Sequence, residues 1–312
     1  MTEDNVQERH KRLEDAYTEL LNMHGFGFQE RVQKVARDLY DAGESRWRRV
    51  VAEFPVEVQG RGTCIDFILR CRKTDEQLPV YLYLICECKR VNPARGAWCF
   101  CRKLSVMHNR PGRSNMIADH VKILSEGRAT DLEVMVAHTA FKGDGPYNIG
   151  LELKTGEKGD EWEKRRGDAI EDAATQVITG INGYIEHLDK HKLRTVRGEW
   201  HQTLIPVVFT TAQLFTSDVE LDRADLDTGK VPQAKLRSVQ WLVWQYHLSS
   251  RLKHIRSPAF LDAFNLEDVL DLEYMRSVCV VSASGVEPFL TKFFPESLDF
   301  QRIEPRPPSQ LT

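Results

Sequence analysis

Apolar and polar positions change rhythm along this chain, and the changes divide it into elements. From Thr2 to Met23 apolar residues fall at Leu13, Tyr17, Leu20 and Leu21 among charges, a helical spacing that Gly25-Phe26-Gly27-Phe28 interrupts. A second helix follows from about Phe28 to Ala42, with Val32, Val35, Ala36 and Leu39 three or four residues apart and Gly43 as a stop. The period then shortens. Trp47 to Val58 alternates in part, offering Val51, Phe54, Val56 and Val58 to a core. Gly60-Arg61-Gly62 turns the chain into Thr63-Cys64-Ile65-Asp66-Phe67-Ile68-Leu69, and a polar turn from Lys73 to Gln77 leads into Val80 to Lys89. These segments read as three consecutive strands. Further on, Asp168 to His187 is a helix with Ala169, Ala173, Val177, Ile181 and Ile185 on one side. Leu204 to Phe209 is a short, continuously apolar strand of the kind that helices cover on both faces. Pro206 has no amide to donate, so this strand is expected to be paired on one side only at that point. Val239 to Tyr246 and Ser277 to Val281 are two more strand-like runs, Leu252 to Leu272 mixes helix and loop, and the proline-containing tail Arg302 to Thr312 is expected to be disordered.

Composition narrows the classes open to such a chain. With 312 residues, 41% hydrophobic and 29% charged, the proportions are those of a globular protein. No apolar run approaches the roughly 20 residues of a membrane helix, and Met1 to Asp15 is too charged for a secretion signal, which predicts a cytoplasmic protein without membrane association. Seven cysteines, an odd number lying mostly in apolar text, predict reduced buried thiols and not a disulfide framework. A formal net charge of −3 excludes bulk attraction to nucleic acid, so any phosphate-binding surface must be local.

The strands around Asp66 and Glu87 carry the candidate chemistry. Strand residues alternate faces, so Glu87 and Lys89 share one face about 7 Å apart while Cys86 and Cys88 point to the other. A hairpin of this length sets Asp66 beside Glu87. Two carboxylates and an ammonium around one point suit a hard divalent cation, magnesium first, with manganese as a substitute, and a lysine that serves the attacking water or a phosphate. Ile65-Asp66 followed by Glu87-Cys88-Lys89 resembles the signature of the PD-(D/E)XK, or restriction-endonuclease-like, nuclease superfamily, with isoleucine at 65 where the name-giving pattern has proline.

The resemblance implies that Asp66 and Glu87 bind the metal and that Lys89 serves the hydrolytic water. It adds Glu30, on the helix ahead of the strands, as a further metal ligand or orienting group, and Gln176, on the later helix, as a residue that reaches the active site. A Gln-x-x-x-Tyr pattern is absent, since Tyr184 lies eight residues beyond Gln176, so no branch is assigned.

The implied fold is α/β, a restriction-endonuclease-like core whose mixed central sheet is flanked by helices. It would span 1–250, with an insertion at about 91–162 after the catalytic strand and a C-terminal extension over 251–312. The implied activity is that of a metal-dependent nuclease, a DNA endonuclease of bacterial antiviral defence or restriction. The alternative is an inactive nucleic-acid-binding or protein-interaction module on the same fold.

Between Lys89 and Arg113 the chain has Arg90, Arg95, Arg102, Lys103, Arg110 and Arg113, with Trp98 and Phe100 among them and no acid. Basic side chains pair phosphates and rings stack bases, which predicts a nucleic-acid groove leading to the metal. The other reading of this stretch is a solvated loop with a buried Trp98. Cys86-x-Cys88 and Cys99-x-Cys101 invite a zinc reading, but one intervening residue is short for zinc and burial as small hydrophobes accounts for them better. Asp222, Asp225 and Asp227 before Gly229 lack calcium-loop spacing and read as a turn. No helix-turn-helix or zinc finger is found, so sequence specificity would come from the insertion, the C-terminal part, a homodimer or a protein partner.

Overall fold

The computed structural model describes residues 3–58, 60–73, 80–91, 96–102, 115–126, 129–141, 145–155, 162–165, 168–191, 198–247, 275–295 and 297–301. The chain opens with helices α1 (Glu3–His24) and α2 (Phe26–Asp41), joined at Gly25, whose φ of 74° makes the break expected there. Strands β1 (Arg48–Val58), β2 (Arg61–Lys73) and β3 (Val80–Lys89) follow, then β4 (Gly96–Cys101), β5 (Asn115–Glu126), β6 (Ala129–Ala140), β7 (Ile149–Thr155) and β8 (Trp162–Arg165). Helix α3 (Asp168–His191) precedes β9 (Gly198–Thr210), β10 (Gln213–Ser217), β11 (Leu236–Val239), β12 (Trp241–His247) and β13 (Met275–Ser282). A short helix α4 (Val286–Lys292) and β14 (Ser297–Gln301) complete the described elements. No described helix is long and apolar enough to cross a membrane.

The result is an α/β protein with two mixed sheets. The larger runs β1-β2-β3-β9-β5-β6-β14, with β13 also on β9 and β12 on β13; the smaller runs β11-β10-β4-β7-β8. The first three strands are antiparallel neighbours, and β3 then lies parallel to β9, which α3 precedes. On one face of this sheet α3 buries Ile170, Ala173, Val177, Ile178 and Ile181 against Val56, Ile65, Ile68 and Ile85. On the other face α2 (Val32, Ala36, Leu39) and α4 (Val286, Phe289) cover Phe67, Leu69, Leu84, Cys86 and Phe209. Helix α3 comes close because Gly180 and Gly183 face the sheet: a Cβ on Gly183 would lie 2.7 Å from the Val56 side chain, and one on Gly180 2.9 Å from Ile65.

Strand β9 is longer than its apolar heart predicted and is shared on one edge. Its residues Gly198 to Leu204 pair with β5, and Val207 to Thr210 pair with β13. Between these two ladders stands Pro206, paired only with Ile85 of β3 on the other edge. The missing amide falls where no strand needs it. A buried ion pair closes the junction. The Arg276 Nε and Nη2 atoms donate to Asp119 Oδ1 at 3.0 and 2.9 Å, both side chains being almost fully enclosed, and Ser277 Oγ accepts from the Ile117 amide at 2.8 Å.

The stretch read as an insertion is woven into both sheets. Strands β5 and β6 extend the larger sheet, while β4, β7 and β8 build the smaller one with β10 and β11. In the stretch read as an extension, β13 pairs directly with β9. Residues 251–274 and 302–312 lie outside the described residues, so the helix-and-loop and disorder expectations do too.

Candidate active site

Alternation on β3 delivers its residues as expected. Ile85 packs on the α3 face and Cys86 and Cys88 on the opposite one, which leaves Glu87 and Lys89 toward α3. Lys89 Nζ donates to Gln176 Oε1 at 3.4 Å, so Gln176 joins the site from the later helix. The Lys89 carbonyl accepts from the Thr211 amide at 3.3 Å, and the Thr211 hydroxyl in turn bonds both the amide and the carbonyl of Val91, fixing the end of the strand.

Asp66 reaches the same place by an irregularity. Ile65 and Ile68 pack toward α3, whereas Phe67 and Leu69 pack toward α2, so β2 changes phase at Asp66. The neighbouring strand does the same: Ala52 lies on the α2 side and Phe54 and Val56 on the α3 side, with Glu53 between them at a φ of +50°. Ala52 pairs with Phe67 and Phe54 with Ile65, which leaves Glu53 opposite Asp66 outside the ladder. On its other side the ladder to β3 starts at Phe67 and Cys86, one step before Asp66 and Glu87 would meet. Released from regular pairing, the Asp66 carboxylate accepts the Cys88 amide at 2.7 Å. A glutamate in the left-handed region is strained unless its surroundings hold it there, and such outliers gather at functional sites.

Both carboxylates are uncomfortable as anions. Burial raises the Asp66 pKa, the Cys88 amide opposes this, Glu53 adds to it and Lys89 offsets part of it. Burial, then the Asp66 charge, pushes Glu87 up to about 8, again with Lys89 in opposition. In a metal-free protein near neutral pH, therefore, the pair tends to hold a proton that a cation would displace.

The helix ahead of the strands also reaches Asp66. It is Gln29, one position before Glu30, that reaches Asp66, donating its amide to the Asp66 carbonyl at 3.3 Å. Glu30 is exposed and takes a hydrogen bond from Gln33 at 3.4 Å. Glu30 also lines a cavity of about 350 Å³ with Gly27, Arg31, Gln33, Lys34, Arg37 and Arg49. Arg49 enters it from β1 and donates to the buried Gln33 at 3.0 Å, while Lys34 also pairs with Asp38 at 2.5 Å. This positive cavity went unread because its charges come from two segments, each also carrying acids or apolar residues.

Trp98 needs correction. It is not a stacking platform: it lies in the middle of β4, is 0% exposed, and is flanked by Leu214 of β10 and Glu152 of β7. An aromatic among basic residues looks the same in sequence whether it stacks on a base or fills a core. Trp98→Ala is expected to cost about 3–5 kcal/mol in urea denaturation, in keeping with a large buried side chain, with nucleic-acid affinity of the folded fraction unchanged. Arg102 is exposed, its guanidinium 5.3 Å from the centre of the Tyr147 ring, and Arg90 is exposed beside Gly25. Arg95, Lys103, Arg110 and Arg113 lie outside the described residues. Cys86 and Cys88 sit in the larger sheet and Cys99 and Cys101 in the smaller, all as free thiols.

Comparison with known proteins gives no relative to lean on: no family model, no curated protein and no solved structure matches the chain.

Proposed function

We propose that this chain is a magnesium-dependent nuclease that hydrolyses phosphodiester bonds, those of DNA first, on a core of the PD-(D/E)XK type. The observation that carries the reading is the convergence of Asp66, Glu87, Lys89 and Gln176 from two neighbouring strands and one helix. The order α2, β1, β2, β3, α3, β9 supports it, being the helix, three strands, helix and strand that the superfamily resemblance implies. Bacterial antiviral defence or restriction is the setting that resemblance suggests.

The donor set fits a hard divalent cation. Asp66 and Glu87 offer only oxygen, and their raised pKa values record an excess of negative charge in a poorly hydrated place. When bound, such an ion polarises a phosphoryl oxygen and lowers the pKa of its water. The protein's own part is electrostatic and positional. The Cys88 amide and the Gln29 amide fix Asp66 at its carboxylate and its carbonyl. Lys89, held by the Gln176 carbonyl oxygen, presents an ammonium that orients the attacking water and offsets charge growing on the phosphate. The cations of the α2–β1 cavity offer a phosphate backbone a place to lie.

The decisive experiment incubates the protein with labelled duplex, branched and single-stranded DNA and with RNA, in magnesium, manganese or chelator. Cleavage of at least one DNA form, only with metal, is expected. Binding of DNA without cleavage of any form would make the chain an inactive binding module, and neither binding nor cleavage would end the proposal. Lys89→Ala is expected to keep calorimetric magnesium binding and lose about 10²–10³-fold in single-turnover rate.

A further inference from the structure

We propose that α1 is a dimerisation helix, along which two copies of this chain pair in parallel. The helix is 22 residues long, and its apolar side faces solvent instead of the sheet. Leu13 is 61% exposed, Tyr17 62% and Leu20 49%, with Leu21 also exposed. Clustered exposure of this kind marks an interaction surface, whereas scattered apolar residues do not.

The spacing says what kind of partner fits. Leu13 and Leu20 are seven residues apart, and His10 and Tyr17 interleave with them at intervals of three and four. This is the 3.5-residue period of a two-stranded coiled coil, with aliphatic residues on one row of the seam and rings on the other. A sheet or a globular groove asks for a period nearer 3.6 and a broader stripe. The residues flanking the seam complete the argument. Arg9 precedes a ring position and Glu14 follows an aliphatic one, five residues later, which is the offset at which opposite charges meet across a parallel pair. The next pair at that offset, Ala16 and Leu21, is apolar and widens the seam toward Gly25. Meanwhile the ion pair of Arg12 with Glu8, at 2.6 Å, lies on the outer side. The occupant that matches both rows and the flanking charges is therefore α1 of a second copy.

Light scattering on the size-exclusion peak of the full chain tests this at tens of micromolar protein. The wild type is expected at twice the chain mass, and Leu13→Glu with Leu20→Glu at the single mass with an unchanged circular-dichroism spectrum of the body. Arg9→Glu alone should raise the dimer dissociation constant several-fold, and adding Glu14→Arg to it should restore the wild-type value, a rescue that general destabilisation cannot produce. A monomeric wild type would overturn the proposal. So would a dimer indifferent to the leucine changes, which would place the interface elsewhere, or a monomer whose melting temperature collapses in the leucine variant, which would mean that the stripe is covered by this chain itself.

Discussion

Glu87→Gln is expected to abolish hydrolysis and, in chelator, to leave the fold as stable as before or more so. The first half follows from charge: the variant keeps the side-chain size and removes one of the two carboxylates that would hold the cation, for a loss of at least about a hundredfold in rate. The second half follows from the cost of keeping Glu87 ionised. Its pKa in the folded protein is about 8 against an ordinary 4.5, so between these values the folded state binds more protons than the unfolded one. Stability of the metal-free wild type must then fall as pH rises through that window. Glu87→Gln has no such proton to lose, and its stability profile should be flatter from pH 5 to 8. Magnesium should raise the wild-type melting temperature most at the alkaline end, because the cation replaces the lost proton, and should do little for the variant. Melting curves at several pH values, with and without metal, check all of this. Parallel profiles for the two proteins would show that Glu87 is not strained and would remove the physical reason for placing a cation there. Asp66→Asn should share the loss of rate.

What the sequence could reveal of this site depended on how locally each residue is placed. Lys89 and Glu87 were legible because a period of two is all that is needed to put them on one face, and α3 was legible because Ala173, Val177 and Ile181 repeat as a helix must. Pro206 was informative because its missing donor has a single meaning inside a strand, and the structure puts it where β5 ends and β13 has not begun. Glu53 was hidden, since its nearness to Asp66 depends on the register of β1 against β2 and on a phase change in both. One trace of it was visible: Val51 and Phe54, both expected in the core, are three residues apart, a spacing that strict alternation forbids. Gln29 was passed over for the charged residue beside it. Trp98 failed for a different reason. Its burial requires β10, more than a hundred residues downstream, and nothing in the local text announces that partner.

The same non-local logic makes Asp119→Ala, with Trp98→Ala, among the most damaging single changes expected outside the site. Asp119 sits on β5 where that strand leaves β9, and Arg276 sits on β13 just before it joins, so their ion pair bridges two strands that share one edge of a third. Arg276 is 0% exposed, and one of its remaining donors already serves the Met275 carbonyl at 2.6 Å. Removing the carboxylate takes the acceptor of two Arg276 donors out of a place that water does not reach, which costs about 3–5 kcal/mol. Against a typical total of about 5–15 kcal/mol, that is enough to unfold a substantial fraction of the protein at physiological temperature. Replacing both partners together, Asp119→Leu with Arg276→Met, should recover much of the loss, because the pair itself repays little beyond its own desolvation and the penalty in the single variant is for a buried charge that has lost this carboxylate. Urea denaturation of the two single variants and the double variant gives the coupling directly. If Asp119→Ala were within about 1 kcal/mol of wild type, less than one ordinary hydrogen bond to a charged group, the junction would have to be held by Ser277, Ile117 and the surrounding apolar packing. In that case β9 would keep its place beside β3, and the carboxylate site would stay intact without the pair.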